Sequence, residues 1–117
     1  MARYVDGFLL PVPRRKLAAY RAISRKAGKI WRQHGALEYV EAVIDDAPKF
    51  GVPFAKAAKT RAGEAVVFSW IVYKSRAHRN AVNKKVMADP RLQMDTDSMP
   101  FDVKRMSMAG FKVLVDL

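Results

Sequence analysis

The segment Val66-Val67-Phe68-Ser69-Trp70-Ile71-Val72-Tyr73 restricts the possible folds more than any other part of the chain. Its β-branched and aromatic residues suit a pleated strand. Period-two alternation puts Val66, Phe68, Trp70 and Val72 on one face and Val67, Ser69, Ile71 and Tyr73 on the other. A sheet with one wet face alternates apolar with polar residues, whereas a sheet covered on both faces reads as a near-continuous apolar run. Here neither face is polar. The first strand, residues 4–10, behaves alike, with Phe8 and Leu10 opposite Val5 and Leu9. Both sides of the sheet therefore need a cover.

The remaining elements follow from punctuation and periodicity. Pro11-Val12-Pro13 closes the first strand and predicts a helix from about Arg14, because proline suits a first helical turn and lacks a ladder donor. Leu17, Tyr20, Ile23, Ala27, Ile30, Trp31 and His34 recur at three- and four-residue spacing as one buried face, and Gly35 suits the helix stop. A second strand is expected over 37–44, then a long connection with Pro48, Gly51 and Pro53. After the third strand, Ser75 reads as the N-cap of a helix through Met87, ended by Asp89-Pro90. A last strand is expected between Arg105 and Val115. The order is β-α-β-β-α-β over a single domain, residues 1–117. That is an α+β, ferredoxin-like arrangement, with two helices on one face of a four-stranded antiparallel sheet. The helices cover one face only. The simplest cover for the other is the same face of a second copy, giving a homodimer; a ligand, another partner or the long connection are the alternatives.

Composition excludes several chemistries. Cysteine is absent, so there is no disulfide, thiolate nucleophile or zinc–thiolate site, in keeping with a reducing cytoplasm. No apolar run is long enough to span a membrane, and Met1-Ala2-Arg3-Tyr4-Val5-Asp6 does not read as a signal peptide. No phosphate-binding glycine loop or nucleophile elbow is present. The two histidines and scattered acids show no metal-ligand spacing, and Asp95-Thr96-Asp97-Ser98 lacks the glycine and final glutamate of a calcium loop. His34 at a helix end and His78 in a first helical turn suit dipole and core-edge roles. No metal or cofactor is expected.

The net charge is +11, and no acid lies between Asp6 and Glu38. Arg21, Arg25, Lys29 and Arg32 share a helix face, which predicts non-specific nucleic-acid binding at low salt. Phe68 and Trp70 alternate like the stacking aromatics of an RNA-recognition motif, but the bases belong to helices and the aromatics to the sheet. Asp6 and Glu41 are carboxylates within apolar strands, where burial is costly without a partner or proton. In a ferredoxin-like sheet the third strand separates theirs, which puts Ser69 between them.

Tyr4-Val5-Asp6-Gly7-Phe8, Gly35-Ala36-Leu37, Val66-Val67-Phe68-Ser69-Trp70, Asp89-Pro90-Arg91 and Ser98-Met99-Pro100-Phe101-Asp102 resemble the YbaA-like bacterial family, domain of unknown function 1428. Lys104-Arg105-Met106 and Gly110-Phe111 extend the resemblance over nearly the whole chain. It departs at Val103, where glycine is expected, and at Ser107-Met108-Ala109, a segment that more usually carries tyrosine and glycine. The resemblance implies a dimeric α/β barrel, in a superfamily that includes cofactor-free monooxygenases. The expected function is the binding, with turnover such as oxygenation or isomerisation left open, of a small organic molecule in a cavity lined by strands. Asp6, Tyr39, Glu41 and Ser69 are its expected polar residues. The alternatives are an RNA-associated protein using the basic helix face and a structural dimer without ligand.

Overall fold

The computed structural model describes residues 2–92 and 95–117. Its elements are β1 (Tyr4–Pro13), α1 (Leu17–Gln33), β2 (Glu38–Val43), α2 (Phe54–Ala57), β3 (Glu64–Tyr73), α3 (Arg76–Met87) and β4 (Ser107–Lys112). The four strands form one antiparallel sheet in the order β2-β3-β1-β4, the ferredoxin-like order. Among the described residues no helix is long and apolar enough to cross a membrane.

The largest boundary differences from the sequence reading are at the end of β1 and the start of α1, while β2 and β3 shift by one or two residues. β1 does not end at Leu10 but continues through Pro11 and Pro13, paired to Val66 and Glu64. Its pairing with β4 stops at Leu9, so from there β1 is an edge strand, where a missing proline N–H is tolerated. A 3₁₀ turn over Arg14–Lys16 then leads into α1. The long connection also contains α2, four residues following Pro53, too short to show a helical period.

The other signals act as their chemistry requires. Gly35 takes φ 117°, a left-handed conformation that ends α1 without a Cβ clash. The Ser75 side chain accepts the His78 N–H at 3.1 Å and caps α3. The core lies between the sheet and the two long helices. Ile71, Tyr73, Val82 and Val86 cluster with Ala36 at one end, and Leu10, Val12, Tyr20 and Val67 at the other. Leu10, Val67, Ile71 and Tyr73 all lie on the helix-facing side of the sheet.

The opposite side is covered in part. α2 packs against β3, with Phe54 edge-on to Phe68 at 6.2 Å between ring centroids. At that end Pro11 and Val66 are buried. Towards β4 the same side is open, with Phe68 and Phe111 exposed. An apolar concavity of about 490 Å³ lies there between Val5, Leu9, Phe68, Trp70 and Phe111. Phe111 lies across Gly7, where a Cβ would stand 3.2 Å from its ring.

Candidate functional site

The strand registers settle which way the candidate residues face. Glu41 is opposite Ser69, Tyr39 is opposite Ile71, and Asp6 is opposite Ile71 on its other flank. All four candidates therefore share the helix-facing side with Ile71. The structure does not place them in one site.

Tyr39, Glu41 and Ser69 line a cavity of about 440 Å³ beneath α1. Its walls are mainly apolar: Phe8 and Ile71 from the sheet, Ile23 and Trp31 from α1, and Met99 and Phe101 from the segment before β4. Such a volume with few polar groups suits a small organic ligand. Phe101 is held edge-on against Tyr20 at 5.6 Å, so the stretch 98–102 serves as one wall of the cavity.

Glu41 is the chemical centre of this cavity. One carboxylate oxygen accepts the Tyr20 hydroxyl at 2.7 Å, and the other accepts the Tyr39 hydroxyl at 3.0 Å. Tyr20 comes from α1 and Glu41 from β2, so the first bond spans the gap between helix and sheet. Burial, and then the neighbouring Glu41 charge, push both phenols well above the usual tyrosine range. Both therefore remain hydrogen-bond donors at any physiological pH. They leave the carboxylate further lone pairs with which to accept a donor from a ligand. Ser69 is buried opposite Glu41 and adds a hydroxyl to the same wall.

Gly28 fixes Tyr39 in place. A Cβ on this buried α1 residue would stand 2.5 Å from Tyr39 Cδ1, so the ring lies directly against the helix backbone. Gly28→Ala should therefore lower stability by about 1–2 kcal/mol, because overpacking outweighs the better helix propensity of alanine. A urea midpoint that rises instead would show that the ring yields freely.

Asp6 stands elsewhere. It is 1% exposed, beneath α3, and outside the lining of the cavity. Its Oδ1 lies 3.4 Å from Arg79 Nε, and neither atom has a well-formed hydrogen bond. Burial pushes its carboxyl above the ordinary range, opposed by the Arg79 charge and by Tyr73 and Asn83 beside it. Arg79 also donates to the Tyr4 hydroxyl at 3.2 Å and lies over its ring. Gly110 lies below this pair, and a Cβ there would collide with the Tyr4 hydroxyl. The expectation that Asp6 joins Glu41 in a ligand cavity is thus replaced by a buried structural ion pair. The physical reason is that α3 brings a guanidinium over the middle of β1.

The remaining motif residues hold loops. His34 Nε2 and Asp89 Oδ2 are 2.8 Å apart, and Arg91 also grips Asp89, tying the end of α1 to the segment after α3. Arg105 donates to both Glu64 oxygens, at 2.7 and 2.6 Å, and to Asp102 at 2.9 Å. These hydrogen bonds lower the Glu64 pKa to about 2. His78 Nδ1 accepts the Lys74 N–H at 2.9 Å and its ring stands edge-on to Tyr73, a core-edge role. Among the described residues no three His, Asp or Glu side chains converge as metal ligands.

Arg21, Arg25, Lys29 and Arg32 are all exposed on α1. Phe68 and Trp70 lie across the sheet from that helix, so bases and aromatics do not share a surface. Sequence reasoning took Tyr20 only as part of the buried helix face. The helical period shows that it points inward but not that it meets Glu41.

Residues 3–103 match the family model for the protein of unknown function DUF1428. The uncharacterized protein YbaA of Escherichia coli K12 is 45% identical over 115 residues, spanning 97% of this chain and 98% of that protein. The uncharacterized YbaA of Shigella flexneri is equally similar. A dimeric ferredoxin-like protein from an uncultured marine organism shares the fold, with a TM-score of 0.59 at 11% identity over the whole of both chains. An uncharacterized NIPSNAP domain protein from Burkholderia xenovorans gives 0.54 at 16% identity, over 92% of this chain and 91% of that one.

Proposed function

This chain belongs to the DUF1428 family of proteins of unknown function, and we propose that it binds a small, mainly apolar organic molecule in the cavity beneath α1. The observation that carries the proposal is a carboxylate, Glu41, held by two phenols at the wall of an otherwise apolar cavity of about 440 Å³. A core built for stability alone gains little from a carboxylate at an unfilled space, since desolvating the charge is costly. In a binding site the same group orients a ligand through its donor. Pairing of two copies through the open side of the sheet belongs to the same proposal. It leaves the cavity, on the helix side, accessible in each copy.

The neutral fluorophore N-phenyl-1-naphthylamine tests the cavity. It should bind with a dissociation constant in about the micromolar range, roughly −8 kcal/mol. Ala27→Trp projects an indole from α1 into the space and should weaken binding at least about tenfold, with the circular dichroism unchanged. Binding that survives this substitution in a folded protein would assign the probe to the open sheet face instead and end the cavity proposal.

A further inference from the structure

A groove of about 360 Å³ adjoins the cavity and shares Tyr20, Ser24, Tyr39 and Glu41 with it. The two spaces meet at the Tyr20–Glu41 hydrogen bond, which runs from α1 to β2. Arg21 and Arg25 line the groove and not the cavity. They stand one turn apart and so present two guanidinium groups to the same space. Both are exposed, and neither takes part in an ion pair among the described residues. α1 itself contains no acid to neutralise them.

From this juxtaposition, and resting on the cavity reading above, we infer that the ligand is an amphipathic acid. Its apolar body occupies the cavity and its carboxylate or phosphate lies in the groove against Arg21 and Arg25. Guanidinium groups present paired donors that match planar oxyanions. Arg21 and Arg25 line only the groove and set the orientation, since Glu41 borders both spaces. The Glu41 carboxylate stands at the junction of the two spaces, so an acid group inside the cavity would meet a like charge in apolar surroundings. The same acid outside meets two cations. A cationic head group in the groove would instead meet two like charges. A ligand that spans both spaces displaces or passes beside the Tyr20–Glu41 hydrogen bond, which lies between them.

The test uses the full chain with bound N-phenyl-1-naphthylamine, displaced at low ionic strength by decanoate, decanol or decyltrimethylammonium. Decanoate should displace the probe at roughly tenfold lower concentration than decanol, as two partly exposed charge-assisted contacts allow. Decyltrimethylammonium should be the weakest of the three. In Arg21→Gln/Arg25→Gln, both exposed positions, decanol should be unchanged while decanoate loses its advantage. Added salt should narrow the difference in the wild type and not in the variant. Decanoate no better than decanol, or an advantage that survives the double substitution, would overturn the acid assignment and leave the cavity reading intact. Failure of all three compounds to displace the probe would instead overturn the cavity reading, and the ligand class with it.

Discussion

Arg79→Met should destabilise the protein by about 3–5 kcal/mol near neutral pH, the usual cost of removing one partner from a buried ion pair. This is a large share of the roughly 5–15 kcal/mol that holds a small domain together. Methionine keeps much of the packing of the arginine stem, so the loss reports the charge and its contact with Tyr4. Without Arg79, the Asp6 carboxylate remains 1% exposed with no cation beside it. Adding Asp6→Asn removes that stranded charge. The double variant should therefore be more stable than Arg79→Met alone, with a coupling of at least about 1 kcal/mol.

The pH dependence has a definite sign. Burial raises the folded pKa of Asp6 above its unfolded value of about 3.9. Between those two values the folded chain binds more protons than the unfolded one. The contribution of Asp6 is thus fully present below the unfolded pKa and is lost as pH rises through the folded pKa. Arg79 lowers the folded value, so Arg79→Met should extend the loss to higher pH, and Asp6→Asn should abolish it. Glu64 works in the opposite direction. Its folded pKa is lowered to about 2, so its contribution is present above the unfolded pKa and lost as pH falls towards that value. Differences between each variant and wild type across the pH range isolate Asp6. A cost under about 1 kcal/mol with a flat difference would mean that the carboxyl needs no cation where it lies.

What the sequence discloses, and what it does not, follows from the range of each signal. The two apolar faces of β3, the capping serine before α3 and the glycine after α1 are local, and each predicts its element. Pro11 and Pro13 are also local, but their reading depends on whether a neighbour strand needs their missing donors. That neighbour, β4, lies far along the chain. Asp6 and Glu41 are both visible as carboxylates in apolar strands, and both face the helices. Their separate fates depend on which helix residue lies above each: Arg79 over Asp6, Tyr20 over Glu41. Helical periodicity shows that a residue points inward without saying what it meets. Arg105, a motif residue, clasps Glu64 and is itself held by Asp102, which no spacing in the chain reveals.

Phe111→Glu should convert the protein from dimer to monomer at micromolar concentration, with its secondary structure retained. Phe111 is 56% exposed in the single chain and adjoins Leu9, Phe68 and Trp70 on the open side of the sheet. Exposed apolar patches of this kind rarely stay bare to water. α2 covers only the end near Pro11 and Val66, and in the proposed pairing a second copy covers the rest. A stable pairing should bury about 800 Å² on each partner. In a two-fold interface every substitution is introduced twice, so two carboxylates would be desolvated without a cation. The dissociation constant should rise at least about a hundredfold, roughly 2.7 kcal/mol. Met87→Glu supplies the control, since Met87 is 68% exposed but belongs to α3, across the sheet. Sedimentation of both variants and wild type decides the matter. A wild-type monomer, or dissociation by Met87→Glu with Phe111→Glu still dimeric, would overturn pairing through this face; the second result would put the contact on the helices.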